Sequence, residues 1–251
     1  TRNIFIMDNV AFIMYSHSDY SDVWDIFFKQ TDKHLPEWKS KYIFVDDLET
    51  YPVDIPSDYT VVKYDDSLPY QERVASCLSQ IDEDICLFQH EDMFLYDPPD
   101  VQKLKEYTSI LQKDGSDLDF IKLIKGGEYR DLQYLPYTDL YHIPYDSEYV
   151  FAVQPTLWRT KVLHSIYNEC QGSNMWEFEV KGSQYCRDNN IVGSYCYRGE
   201  PQRGAMHWDS KTYPYIATAI VKGKWNLSEY QSELGFILNS NRVDLSARGT
   251  C

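Results

Sequence analysis

The chain has 251 residues, 43% of them hydrophobic, with 39 acidic side chains against 24 basic ones and a formal net charge of -15. That length is enough to bury a full core, and α/β folds of this size commonly form one domain. The charge excludes a nucleic-acid binder, which needs clustered Lys and Arg to displace counterions from phosphates. It also repels an anionic nucleotide at long range, so any phosphate site must rest on local donors, on a metal ion, or on both.

The longest apolar runs, such as Val10 to Met14, are too short to span a bilayer, and no window resembles a signal peptide, so a cytoplasmic protein without a transmembrane segment is expected. Six cysteines at 77, 86, 170, 186, 196 and 251 form no CxxC pair, which argues against a zinc cage or a dense disulfide framework. Aromatic residues make up 16% of the chain, with 22 tyrosines. Tyrosine offers a flat apolar face and a polar tip, a combination suited to sugar rings and nucleobases.

In chain order, Asn3 to Met14 contains strand-like segments that end at Tyr15-Ser16-His17-Ser18-Asp19. Ser18 to Ser21 caps a predicted helix in which Val23 and Phe27, with Trp24 and Phe28, recur four apart. Lys41 to Val45 is a second strand running into Asp46-Asp47, and Thr60 to Tyr64 a short third one. After Pro69, Val74, Cys77, Leu78 and Ile81 form a helical stripe. Ile85 to Gln89 is a continuous apolar run of the kind that fills the centre of a parallel sheet, and the polar triplet His90-Glu91-Asp92 follows at once. Ligands in open α/β sheets bind outside the carboxyl ends of the strands, which is where this triplet stands.

Pro98-Pro99 opens a helix carrying Val101, Leu104 and Leu111 that stops near Gly115, and Phe120 to Ile124 is another strand. Lys125 to Ser147 reads as a functional loop or lid. A strand over Tyr149 to Val153, a helix from about Leu157 to Tyr167, a helix over Met175 to Asp188 and a strand over Ile191 to Tyr197 complete the pattern, with a helix end and polar tail from about Ile237. The alternation predicts an α/β fold with a mixed, largely parallel central sheet flanked by helices.

Three constellations carry the chemistry. In Gln89 to Leu95, an extended backbone puts His90 and Asp92 on one face and Glu91 on the other. Mg²⁺ or Mn²⁺ on a diphosphate takes a few oxygen or imidazole ligands from protein and leaves the rest to phosphates and water. In Trp176-Glu177-Phe178-Glu179, a carboxylate beside a large aromatic can have its pKa raised by desolvation, as a general base needs. On a helix only one of Glu177 and Glu179 can face a site, with Glu177 the first choice. The third is Gly204 to Asp209, containing His207, with Arg198 and Arg203 beside it as phosphate contacts, since guanidinium can grip phosphate oxygens in two places.

The order of apolar strand, Glu-Asp pair and Met-Phe-Leu resembles the Asp-x-Asp region of the GT-A, nucleotide-sugar-dependent glycosyltransferases, family 2-like, with His-Glu-Asp as the variant motif. The stretch from Gln154 to Arg159 followed by Trp176-Glu177 is similar to the acceptor side of such enzymes. The resemblance implies a Rossmann-like GT-A domain over 1–251, with a nucleotide-binding half (1–124), an acceptor-binding half (125–236) and a tail (237–251). It implies a hexosyltransferase-type enzyme (EC 2.4) of glycan biosynthesis that takes Mn²⁺ or Mg²⁺, a nucleoside-diphosphate sugar, UDP-sugar favoured, and a glycan or other hydroxyl acceptor. It places the cation on His90, Asp92 and His207. It places the nucleotide-sugar on Ser16, His17, Asp19, Asp46 or Asp47, Arg73, Glu91, Arg198 and Arg203, and the base on Glu177 or Glu179, which gives inversion at the anomeric carbon. Two rival readings are a metal-dependent phosphoesterase or nucleotidyltransferase, and a non-catalytic carbohydrate-binding module using the Tyr-rich loop from Tyr129 to Tyr149.

Overall fold

A computed structural model describes residues 7, 9–36, 38–127, 130–136 and 138–251. Asn3 and Tyr129, which bound two of the segments read above, lie outside the described residues. Strands β1 (Val10–Tyr15), β2 (Ser40–Asp46), β3 (Tyr59–Tyr64) and β4 (Ile85–His90) form a parallel block in the order β3-β2-β1-β4. Phe12 and Met14 of β1 pack on one face of the sheet while Ala11 and Ile13 pack on the other. Because both faces are covered, these strands read as unbroken apolar runs rather than alternating ones.

Helices α1 (Trp24–His34) and α3 (Val101–Gln112) cover the first face, and α2 (Tyr70–Leu78) covers the second. A short 3-10 turn, Ser18–Val23, leads from β1 into α1; the His17 Nδ1 accepts the Asp19 N–H at 3.0 Å and so caps it. The N-cap of α3 is Asp100, whose carboxylate accepts the Lys103 N–H at 3.1 Å.

Beyond β4 the sheet becomes mixed. Strand β5 (Phe120–Lys122) does not pair with β4; between them lies β7 (Thr156–Arg159), antiparallel to both. The outer strands are β8 (Gly193–Cys196), parallel to β5, and β6 (Leu140–His142), antiparallel to β8, so the stretch read as a lid contains an edge strand. Helices α4 (Thr160–Glu169) and α5 (Met175–Asp188) join α2 on the second face.

The strand expected over Tyr149 to Val153 is irregular chain, and the helix expected from Leu157 begins only at Thr160, after a strand. Side chains of α5 satisfy the irregular backbone: the Ser183 hydroxyl accepts the Phe151 N–H at 3.0 Å and the Glu179 carboxylate the Val153 N–H at 2.7 Å. Leu157 and Trp158 are buried on opposite faces of the sheet, a pattern that four residues cannot distinguish from a helix start.

The helix end read at Ile237 belongs to α6 (Gln231–Ser240). This helix packs on the first face, and a hairpin of β9 (Ile220–Val221) and β10 (Lys224–Trp225) turns through Lys222 and Gly223, both at positive φ. A four-residue helix, α7 (Leu245–Arg248), is then tied back to β10 by the Trp225 N–H to the Gly249 carbonyl at 3.1 Å and the Cys251 N–H to the Trp225 carbonyl at 3.0 Å. All six cysteines are free, and no helix among the described residues is long and apolar enough to cross a membrane.

Candidate active site

The chain runs from β1 to β2 in one direction across the sheet and reaches β4 on the other side, so a topological switch point lies between β1 and β4. The carboxyl ends of these strands carry Ser16 and His90. Ser16 is buried: its hydroxyl accepts the Trp24 indole N–H at 2.6 Å and its carbonyl the Tyr64 hydroxyl at 2.7 Å. The Asp46 carboxylate is also buried and accepts both the N–H and the hydroxyl of Ser18, each at 2.7 Å, which fixes the turn after β1. His17 Nε2 lies 3.1 Å from Asp66, and Asp66 pairs with Arg73 at 2.8 Å. Two sets of contacts therefore stand side by side at the switch point, one of Asp46 with Ser18 and the other of Asp19 with His17, Asp66 and Arg73, next to the buried Ser16, while Asp47 is exposed beside them.

At the end of β4 the expected triplet is divided. His90 turns onto the second face, its Nε2 2.9 Å from the Tyr70 hydroxyl and its ring among Tyr15, Tyr70 and Phe88. Burial brings its pKa down to about 4, so the imidazole is neutral near pH 7. The Tyr70 hydroxyl lies 3.0 Å from that of Tyr167, extending a polar chain through an aromatic layer. The backbone then turns, with the Met93 N–H donating to the His90 carbonyl at 3.2 Å, so Asp92 no longer continues the pleat of β4. Its carboxylate accepts the Ile220 N–H at 3.1 Å. Burial raises the pKa of Glu91 and Asp92, and for Glu91 the neighbouring Asp92 charge raises it further. Arg248, from α7, is the cation that acts on both.

Along the same edge, Phe88 and Lys122 both pair with Thr156, which sets Gln154 and Ile124 level with His90. A cavity of about 260 Å³ opens here, lined by Lys122, Gln154, Tyr149, Trp176, Glu179 and His207. The Lys122 ammonium is held by the Tyr149 carbonyl at 2.8 Å, and the Trp176 indole N–H donates to the Tyr149 hydroxyl. Trp176 is 66% exposed and stands at the cavity mouth as an open aromatic face. Burial raises the Glu179 pKa, with the Val153 N–H and Lys122 opposing it. A second cavity of about 550 Å³, containing Arg130 and Trp208, adjoins the first across Tyr149 and Met206.

The first-choice base, Glu177, lies away from this cavity. Lys181 at 2.8 Å and Ser173 engage its carboxylate and hold its pKa down to about 2. Arg203 is spent on Asp209 at 2.8 Å and Glu233 at 2.8 Å, and Arg198 pairs with the cap residue Asp100 at 3.1 Å. His207 bridges to Gly126, stacks on Tyr230 with ring centroids 6.0 Å apart, and has its Nε2 3.4 Å from Glu229.

The three side chains expected to hold Mn²⁺ or Mg²⁺, His90, Asp92 and His207, are not gathered into one three-ligand set. Among the described residues no three His, Cys, Asp or Glu side chains come together as a metal cage. His90 is committed to Tyr70, Asp92 to backbone N–H groups, and His207 to a different wall.

No protein-family model matches the chain, and no curated protein matches its sequence. Among solved structures it is similar to S. aureus TarS 1-349, with 12% identity and a TM-score of 0.52 over 95% of this chain and 68% of that one. It also matches the longer S. aureus TarS (14% identity, TM-score 0.47, covering 75% of this chain and 36% of that one). A third match is the bifunctional IspDF from Campylobacter jejuni (12% identity, TM-score 0.44, covering 76% of this chain and 50% of that one). The chain thus spans half or less of the length of the latter two. The likeness to TarS 1-349 shows the fold, a Rossmann-like GT-A arrangement.

Proposed function

We propose that the chain transfers a sugar from a nucleoside-diphosphate sugar, UDP-sugar favoured, to a glycan or other hydroxyl acceptor, with inversion at the anomeric carbon. The observation that carries this is Glu179, a carboxyl with a pKa raised by burial, in a cavity on the carboxyl edge of a GT-A sheet, beside the exposed Trp176 face. The GT-A arrangement shared with TarS 1-349 supports the reaction class.

In this reading the two halves divide the work. The switch-point residues Ser16, His17, Asp46 and Arg73 lie before residue 124 and take the nucleotide, while the cavity built largely from later residues takes the acceptor. Trp176 and Tyr149 offer a flat amphipathic platform for a sugar ring. The Val153 N–H fixes one oxygen of Glu179, and the other receives the proton of the acceptor hydroxyl. That hydroxyl oxygen attacks the anomeric carbon as its bond to the diphosphate breaks, and the diphosphate leaves with the bonding pair. The Lys122 ammonium keeps the Glu179 carboxylate ionised before the proton moves.

The test is a transfer assay over a panel of nucleoside-diphosphate sugars and glycan acceptors, with the product anomer assigned by NMR. Glu179→Gln is expected to lower kcat/KM by about 10²- to 10⁴-fold, the usual worth of a general base, and Glu177→Gln to change it by no more than a few-fold. Retention of configuration, or full activity in Glu179→Gln, overturns the mechanism. Nucleotide turnover that needs no acceptor, or glycan binding indifferent to nucleotide, overturns the reaction class.

A further inference from the structure

The switch-point end of the sheet is strongly acidic: Asp19, Asp22, Asp46, Asp66, Glu91 and Asp92 lie at the ends of β1, β2, β3 and β4 or on the chain that follows them. A diphosphate entering it needs a positive partner. His90 is boxed in neutral and Arg198 and Arg203 are consumed elsewhere, which leaves Arg73, held by Asp66, and Arg248.

The second is built across this end of the sheet. Arg248 donates through Nε to Asp22 at 2.6 Å and through Nη2 to the other oxygen of the same carboxylate, and its guanidinium lies 5.3 Å from the Tyr20 ring. Asp22 and Tyr20 sit on the 3-10 turn that leaves β1, so these contacts fix Arg248 to the β1 wall. On the other side, Nη1 donates to the Gly223 carbonyl at 3.3 Å, in the turn of the β9-β10 hairpin. That hairpin also supplies the Ile220 N–H to Asp92, on the β4 wall, and holds the α7 segment in place through Trp225. Arg248 therefore closes a clasp from one wall of the switch point to the other. These bonds use three of the five N–H groups of a guanidinium, leaving two for a further acceptor.

We propose that Arg248 is a positioning residue for the donor diphosphate, adding to its oxygens a second positive charge beside that of Arg73. This rests on the donor site proposed above. Guanidinium suits the task because it stays charged and can bind phosphate oxygens bidentately. Asp22 competes for the same guanidinium, so it tethers Arg248 while the site is empty and yields N–H groups when phosphate arrives.

The test uses titration calorimetry of the full chain with UDP, GDP, CDP and ADP, then with the nucleoside of whichever binds tightest. Arg248→Gln is expected to weaken the diphosphate at least about tenfold while leaving the nucleoside unchanged, since hydrogen bonds to charged groups are among the strong ones. Arg248→Lys, which keeps the charge, is expected to recover part of the loss. Asp22→Asn is expected to hold or tighten diphosphate affinity. The opposite sign of the two partners separates phosphate binding from a structural ion pair, and the Lys and Asn variants decide the matter if Arg248→Gln fails to fold. Equal binding of diphosphate by wild type and Arg248→Gln overturns the role of Arg248 while leaving the donor site intact. Weakening of diphosphate and nucleoside alike in both Asp22→Asn and an Arg248 variant shows a structural clasp only. A wild-type chain that binds none of the four nucleotides removes the donor site itself, and the inference with it.

Discussion

Glu177 and Glu179 stand two residues apart at the start of α5, about 200° around the helix, and their surroundings decide their chemistry. The sequence limits the choice to one of them, but which one faces the cavity depends on how α5 packs, through Phe178 and Ser183, against chain far away in sequence. Their partners, Lys181 for Glu177 and the Val153 N–H for Glu179, illustrate the difference: the first is legible at four-residue spacing, the second is not. Glu91 carries a prediction of its own. Its folded pKa lies above its unfolded one, so the fold holds a proton that solvent would remove, and that stability is lost as pH rises through the folded value. Glu91→Gln is therefore expected to melt higher than wild type at about pH 8, with the gap closing toward about pH 5. His90 works in the opposite sense, its folded pKa lying near 4, so stability falls as pH drops below its ordinary 6.5. Comparing variant and wild type at matched pH isolates the Glu91 contribution from it.

Among the elements, β1 to β4 and α2 are readable because each has a clear period or a bounded apolar run, whereas β7 is not. It has four residues, is apolar on both faces, and passes into α4 with no intervening turn. The irregular chain before it reads as a strand because its aromatic and β-branched residues have that propensity; tertiary hydrogen bonds from α5 win over it. The β5-β7-β8 region packs tightly. A Cβ at Gly193 of β8 would fall 2.0 Å from the Phe120 Cζ, and the Phe120 ring is stacked on Trp158 at 4.1 Å with no room to retreat. Gly193→Ala is expected to lower the unfolding free energy by about 1 to 3 kcal/mol or more, the usual cost of overpacking, seen as a lower urea midpoint at unchanged slope.

At the scale of the molecule, the site is an edge: the carboxyl ends of β1, β4 and β5 and the start of β7, brought level by strand register. The general location is legible in the sequence because polar residues follow apolar runs at strand ends. The clasp of Arg248 and Asp22 is not, since 226 residues separate its members. The net charge of -15 repels itself, and that self-repulsion destabilises the compact state at low ionic strength. Raising NaCl from about 0.01 M to about 0.15 M, which shortens the Debye length from about 30 Å to about 8 Å, is expected to raise the melting temperature measured by calorimetry.

The placement of β7 has a consequence for how the molecule is assembled. Strands β1 to β4 can pair as soon as residue 90 is synthesised, but β5 cannot dock onto them, because its place in the sheet is reached only through a strand some 35 residues further on. Until then β4 presents a bare edge of unpaired N–H and C=O groups flanked by Leu87 and Phe88. A ribosome adding roughly 5 to 20 residues per second leaves that edge open for several seconds, a window in which a nascent chain can pair with its neighbour or be shielded by a chaperone. Closing of the edge also begins the cavity, since Thr156, Leu157 and Trp158 seal the sheet and carry Gln154 to the site, where Trp176, Glu179 and His207 join it later.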